Sequence, residues 1–186
     1  MAVKTFFTKV KAALTLKPQP NNFTCQSACI AMAINGNINQ IRAELVKNGV
    51  AGDPYNMGRI LRRELGDRYS FNPDASLIDA REALKLGAFC ITHGYFTGGH
   101  VIGLDGVVID PERNSYQFNV KDPWSEFMFA SWSYSSKAIG FDGYYSSRGI
   151  YAACVAGRSR AHAAEIYRKG ELNSSRKGMW LHIVKP

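Results

Sequence analysis

The 186 residues contain no apolar run of the length, about 18 residues, that a bilayer-spanning segment needs. The basic N-terminal stretch MAVKTFFTKVKAALTLKPQ has lysines interrupting every apolar run, so it lacks the continuous apolar core of a secretory signal. Disulfide-rich spacing is missing too. Of the four cysteines, Cys25, Cys29, Cys90 and Cys154, only the first two lie close in sequence. These absences predict a cytoplasmic protein with reduced thiols and no transmembrane segment. A net charge of +8 comes without any recognised nucleic-acid-binding motif, so it is read as a solvated basic surface and a nucleic-acid partner is not expected. Metal spacing is absent as well. Cys25 and Cys29 with His93 and His100 form a Cys₂His₂ set, but the intervals match no zinc-finger pattern, and neither metal nor cofactor is expected.

What the chain does have is enough apolar material, 46% of residues, to bury a core without metal or disulfide support. No internal repeat or low-complexity linker divides it, so one domain over residues 1–186 is the expectation. Val3, Phe6, Phe7, Val10, Ala13 and Leu14 recur at helical spacing between lysines, which predicts an N-terminal amphipathic helix within residues 1–16. Pro18 and Pro20 stop it. A helix from about Cys25 to Ile34 with Thr24 as N-cap follows, then one over Asn39–Lys47 and a third opened by Asp53-Pro54. Pro73-Asp74 is read as the start of a fourth, ending near Leu86-Gly87.

The pattern then turns to strands. Ala88–Thr92, His100–Ile109 and Tyr116–Val120 read as strands, the last two as an antiparallel hairpin about a turn at 110–115. Residues 126–186 are read as an aromatic-rich C-terminal part of the same domain. Within it the stretch up to 149 reads as partly irregular and able to line a groove, Ile150–Val155 as a strand, Ala161–Arg168 as a helix and Met179–Val184 as a final strand. The whole is an α+β fold, an N-terminal helical half followed by an antiparallel β-sheet.

Cys25 stands where a Pro- and Asn-rich loop becomes a helix of small residues. A thiol there meets unpaired backbone N–H groups and the positive end of the helix dipole, both of which favour thiolate. A nucleophilic cysteine needs a base, usually histidine. Of His93, His100, His162 and His182, His100 is favoured because Gly98-Gly99 before it clears a close approach. Asp122 is the candidate to orient that ring. Positions 100 and 122 are symmetric about 111, within the turn, and cross-strand neighbours have Cβ atoms about 4.5–5.5 Å apart. The backbone N–H of Cys25 and the side-chain amide of Gln19 are candidate donors to an oxyanion. Beside these readings stand plainer ones. A helix-start cysteine is often only buried, Cys29, Cys90 and Cys154 suit the core, and loop glutamines are common.

A loop glutamine, five residues, a cysteine opening a small-residue helix, then a Gly-His strand and an Asp-Pro ending its partner together resemble the papain-like cysteine peptidases. The similarity is to the branch of the bacteriocin double-glycine leader peptidases and their stand-alone relatives, and it covers roughly residues 17–125. It implies a papain-like fold. It also implies a thiol hydrolase acting on a peptide or isopeptide bond, with Cys25 as nucleophile, His100 as general base and acid, Asp122 as orienter and Gln19 as oxyanion donor. Gln26-Ser27 stands where such proteins usually carry Gly, then Pro or Ala. The implied partner is a protein or peptide substrate. The alternatives are a peptidoglycan endopeptidase or amidase with the same triad, a transferase or deamidase, or a non-enzymatic basic binding domain on an inactive fold.

Overall fold

The polar loop before residue 25 gives way to helix α1 (Cys25–Ile34), whose small residues Ala28, Cys29 and Ala31 are completely buried. Small side chains let this helix sit close against the sheet behind it. Asn35 ends it in a left-handed conformation at φ 51°, which asparagine tolerates. Helix α2 (Ile38–Lys47) starts from Asn37, whose side chain accepts the N–H groups of Asn39 and Gln40. Helix α3 (Pro54–Leu65) starts from Asp53, with proline at its first position where no donor is lost. The computed structural model describes residues 14–110, 115–135 and 139–186. The N-terminal amphipathic helix predicted from the sequence lies almost wholly outside the described residues, and its last three positions, 14–16, are not helical.

The expected fourth helix is displaced. Residues Tyr69–Ala75 form an edge strand, β1, and the helix α4 (Leu77–Lys85) begins only after Ser76, which makes a reciprocal capping box with Asp79. Pro73 is therefore a strand residue. It falls at the irregularity between Asn72 and Ala75 in the pairing with the final strand, where a missing N–H costs nothing. Strands β2 (Phe89–Gly94), β3 (His100–Asp110) and β4 (Ser115–Asp122) follow. Next come a two-residue pair, β5 (Phe127–Met128) with β6 (Ser133–Tyr134), and then β7 (Phe141–Ser146).

The apolar run expected as a strand near 150–155 is helical. A short helix α5 (Ser147–Ile150) widens into a π-helical turn, Tyr151–Ala156, in which every residue is buried. Apolar runs buried on all sides carry no periodicity to separate strand from helix. Helix α6 (Arg160–Arg168) and strand β8 (Met179–Val184) complete the chain.

The six long strands form one antiparallel sheet in the order β1-β8-β2-β3-β4-β7. The fold is α+β, as the order of sequence patterns predicts, with β8 inserted between β1 and β2. On one face, α1, α2 and α3 pack over Phe89, Ile91 and Val101. On the other, α4, the 151–156 turn and α6 cover Cys90, Ile102, Leu104 and Phe118. No helix among the described residues is long and apolar enough to cross a membrane.

His182 is fully buried under the first layer, its Nδ1 2.8 Å from the Tyr69 hydroxyl and its ring stacked on Phe71. Burial pushes its pKa down from the usual 6.5 to about 3. Below pH 6.5 the unfolded chain therefore binds a proton that the folded chain refuses. Stability present above pH 6.5 should be lost as pH falls toward 3, at up to roughly 1.4 kcal/mol per pH unit. Urea midpoints measured from pH 7 to 4 should show this slope, and His182→Gln should flatten it. An unchanged slope in that variant would assign the acid sensitivity elsewhere.

Candidate active site

Thr24 occupies the N-cap position of α1 but does not cap it. Its hydroxyl donates instead to the Asn21 carbonyl at 3.2 Å, and Thr24 makes no side-chain cap bond to the first turn. Burial alone raises the Cys25 thiol, but a hydrogen bond and the charge of His100, with the backbone N–H groups of Val101 and Gln26, outweigh it. The net effect is a thiol held below its usual 9.0.

His100 begins β3 and is buried. Its Nε2 lies 2.8 Å from Asp122 Oδ1, which leaves Nδ1 as the nitrogen for the Cys25 hydrogen bond. Burial works against a charged ring here. The negative charge of Asp122, its hydrogen bond and the Cys25 sulfur overcome that and raise His100 well above 6.5. The thiol is shifted down and the imidazole up, and both shifts favour the thiolate–imidazolium form of the pair over the neutral one.

The hairpin brings His100 to Asp122 by a different register from the one symmetric about residue 111. Gly103 pairs with Lys121 and Leu104 with Val120, whereas Gly106 pairs with Asn119 and Asp110 with Ser115. Asp105 is the extra residue of a bulge between the two registers. Its carboxylate lies 3.3 Å from the buried Lys121 Nζ, which also pairs with Asp142. Continuing the outer register sets Asp122 level with Ile102. His100 is thus its diagonal neighbour, still within reach of a long side chain. Residues 111–114 of the expected turn lie outside the described residues.

Asp122 is completely buried, and both its oxygens are served. Oδ1 receives the Trp124 N–H at 3.0 Å besides His100, and Oδ2 accepts the hydroxyls of Tyr134 at 3.0 Å and Tyr145 at 3.1 Å. Neither tyrosine was singled out from the sequence. The one signal in the sequence is the density of aromatics with polar tips after Asp122, which by itself reads as groove lining.

Gln19 is buried, and its backbone N–H donates to the Pro123 carbonyl at 2.8 Å, tying it to the residue after Asp122. One hydrogen of its side-chain Nε2 goes to the Asn21 carbonyl at 2.7 Å. The amide has a second hydrogen to give, and its Oε1 is buried without a hydrogen-bond partner among the described residues. Gln26 packs its amide near Gly52 in the loop between α2 and α3, and the Ser27 hydroxyl is fully buried.

The remaining candidates stand apart from this chain of hydrogen bonds. Cys29, one turn below Cys25, is buried with its sulfur 3.5 Å from the Val101 carbonyl, and burial raises it well above 9.0. Burial also raises Cys90, to about 12, and Cys154. His93 stacks on Trp180, and burial with the charge of His100 lowers it to about 4. His162 is exposed near the start of α6. Among the described residues, no group of histidines, cysteines and carboxylates has the arrangement to hold a metal ion.

No family model matches the chain, and no curated protein matches it. Among solved structures, it is similar to a double glycine motif protease from an AMS/PCAT transporter, solved in complex with the leader peptide. The likeness spans 98% of this chain and 99% of that one, at 15% identity and a TM-score of 0.49.

Proposed function

We propose that this protein is a papain-like cysteine peptidase that hydrolyses a peptide or isopeptide bond. The observation that carries the reading is the hydrogen-bonded chain from Cys25 through His100 to the buried Asp122, set at an uncapped helix start. Gln19 enters as the proposed side-chain donor to the oxyanion, through its second amide hydrogen.

In the first half-reaction the Cys25 thiolate adds to the carbonyl carbon of the scissile bond, and the carbonyl π pair moves onto oxygen. The N–H of Cys25 and the Gln19 amide receive that oxyanion. As the intermediate collapses, the C–N bond breaks and the His100 imidazolium gives its proton to the departing amine. This leaves a thioester on Cys25 and a neutral imidazole. A water molecule then loses a proton to His100 as its oxygen attacks the thioester. Collapse expels the Cys25 thiolate, releases the acid and restores the starting pair. Asp122 holds the ring in place throughout.

Cleavage of a diverse peptide mixture, followed by mass spectrometry, tests the reading. The product should gain one water and expose a new amine, which separates hydrolysis from transfer or deamidation. The rate should follow a bell-shaped pH curve. Its acid limb lies below the ordinary thiol value of 9.0, where Cys25 ionises, and its alkaline limb lies above 6.5, where His100 loses its proton. A rate that rises steadily to pH 10 would exclude the thiolate–imidazolium mechanism.

A further inference from the structure

We infer that Tyr134 and Tyr145 are positioning residues of this site, acting on His100 through Asp122, whose negative charge their hydroxyls share. The inference rests on the Cys25–His100–Asp122 reading of the site. It adds a control on how firmly Asp122 holds the histidine.

A buried carboxylate must have its oxygens satisfied, and Asp122 is completely buried. Oδ1 is occupied by the His100 ring and the Trp124 N–H, so the ring is already oriented without any tyrosine. The two phenols bind the other oxygen and act on the histidine only through the carboxylate. Tyr145 is itself locked. Its oxygen receives the Phe127 N–H at 2.7 Å, and its one proton is placed between Asp122 Oδ2 and the Ser125 carbonyl at 3.3 Å. Tyr134 sits opposite Phe127 in the β5–β6 pair and presents its ring edge-to-face with His100 at 5.5 Å. The small hairpin is therefore pinned to the carboxylate at both of its strands.

Each phenol points the positive end of its O–H dipole at Asp122. Removing one concentrates charge on the carboxylate and strengthens its grip on the imidazolium. The histidine then keeps its proton to higher pH and gives it less readily to the departing amine. A purely structural role predicts the opposite sign, because loosening Asp122 weakens its hold on the ring and lets the proton leave earlier.

Tyr134→Phe and Tyr145→Phe separate these. The His100 ring is titrated by NMR in the Cys25→Ala background, where no substrate is needed. Each substitution should move its midpoint upward by roughly half a unit. With Cys25 intact, kcat should fall by about threefold to tenfold with little change in KM, and the alkaline limb should move up with the ring. A midpoint that stays or falls in Tyr134→Phe, the less buried of the two, overturns the inference. If the wild-type protein cleaves no peptide, the proposed function falls while the ring titration still decides this point.

Discussion

Cys25→Ala should keep its fold and lose turnover by a factor on the order of 10⁴ or more. Alanine retains the small volume that α1 needs against the sheet, so the thermal midpoint should move only slightly. In the proposed mechanism the Cys25 sulfur is the attacking atom, and no other thiol is positioned to replace it. Cys29, Cys90 and Cys154 are all buried with their thiols pushed up, and none of them is free to attack at neutral pH. Brief treatment with iodoacetamide should therefore add a single group to the wild-type protein and none to the variant, as read by intact mass. Residual turnover above about one hundredth of wild type would place the nucleophile elsewhere.

Asp122→Asn should be nearly as damaging, for a different reason. The carboxylate accepts from four donors: the His100 ring, the Trp124 N–H and two phenols. An amide has one acceptor oxygen and an NH₂ group that would face donors already in place. Leaving buried donors unmatched costs about 1–3 kcal/mol, which thermal melting would register. The charge that offsets the burial of His100 disappears as well. Its raised pKa falls, so the alkaline limb of the rate moves down and the thiolate loses its counter-ion. A drop in kcat/KM on the order of 10²–10⁴ follows. An Asn variant with wild-type rate and an unmoved alkaline limb would show that Asp122 is structural only.

Parts of this architecture are written in short stretches of sequence. Asp53-Pro54 opens α3, Asn35 closes α1, and the alternation of Tyr116, Phe118 and Val120 makes β4. Each is legible because the physics acts within a few residues: a cap, a left-handed turn, one face of a strand. Pro73-Asp74 misleads for the same reason. It carries the local mark of a helix start, yet pairing of its neighbours with β8, more than a hundred residues away, holds it in a strand. The buried 151–156 turn gives no periodicity to read, and it lies packed against α6 and β2.

At the candidate site the same division holds. A thiol at a helix start, a histidine behind two glycines and an aspartate ending the next strand are visible in order along the chain. The sequence by itself determined which residue types were available and which elements would carry them, because helix starts and hairpins are local. Only the tertiary structure decided how they meet. The Asp105 bulge makes His100 and Asp122 diagonal neighbours, Thr24 leaves the helix start uncapped, and Tyr134 and Tyr145 come from later strands to complete the carboxylate's partners. Those contacts depend on strand register and on sheet order. Both are set by burial summed over the whole chain, which no short window of sequence contains.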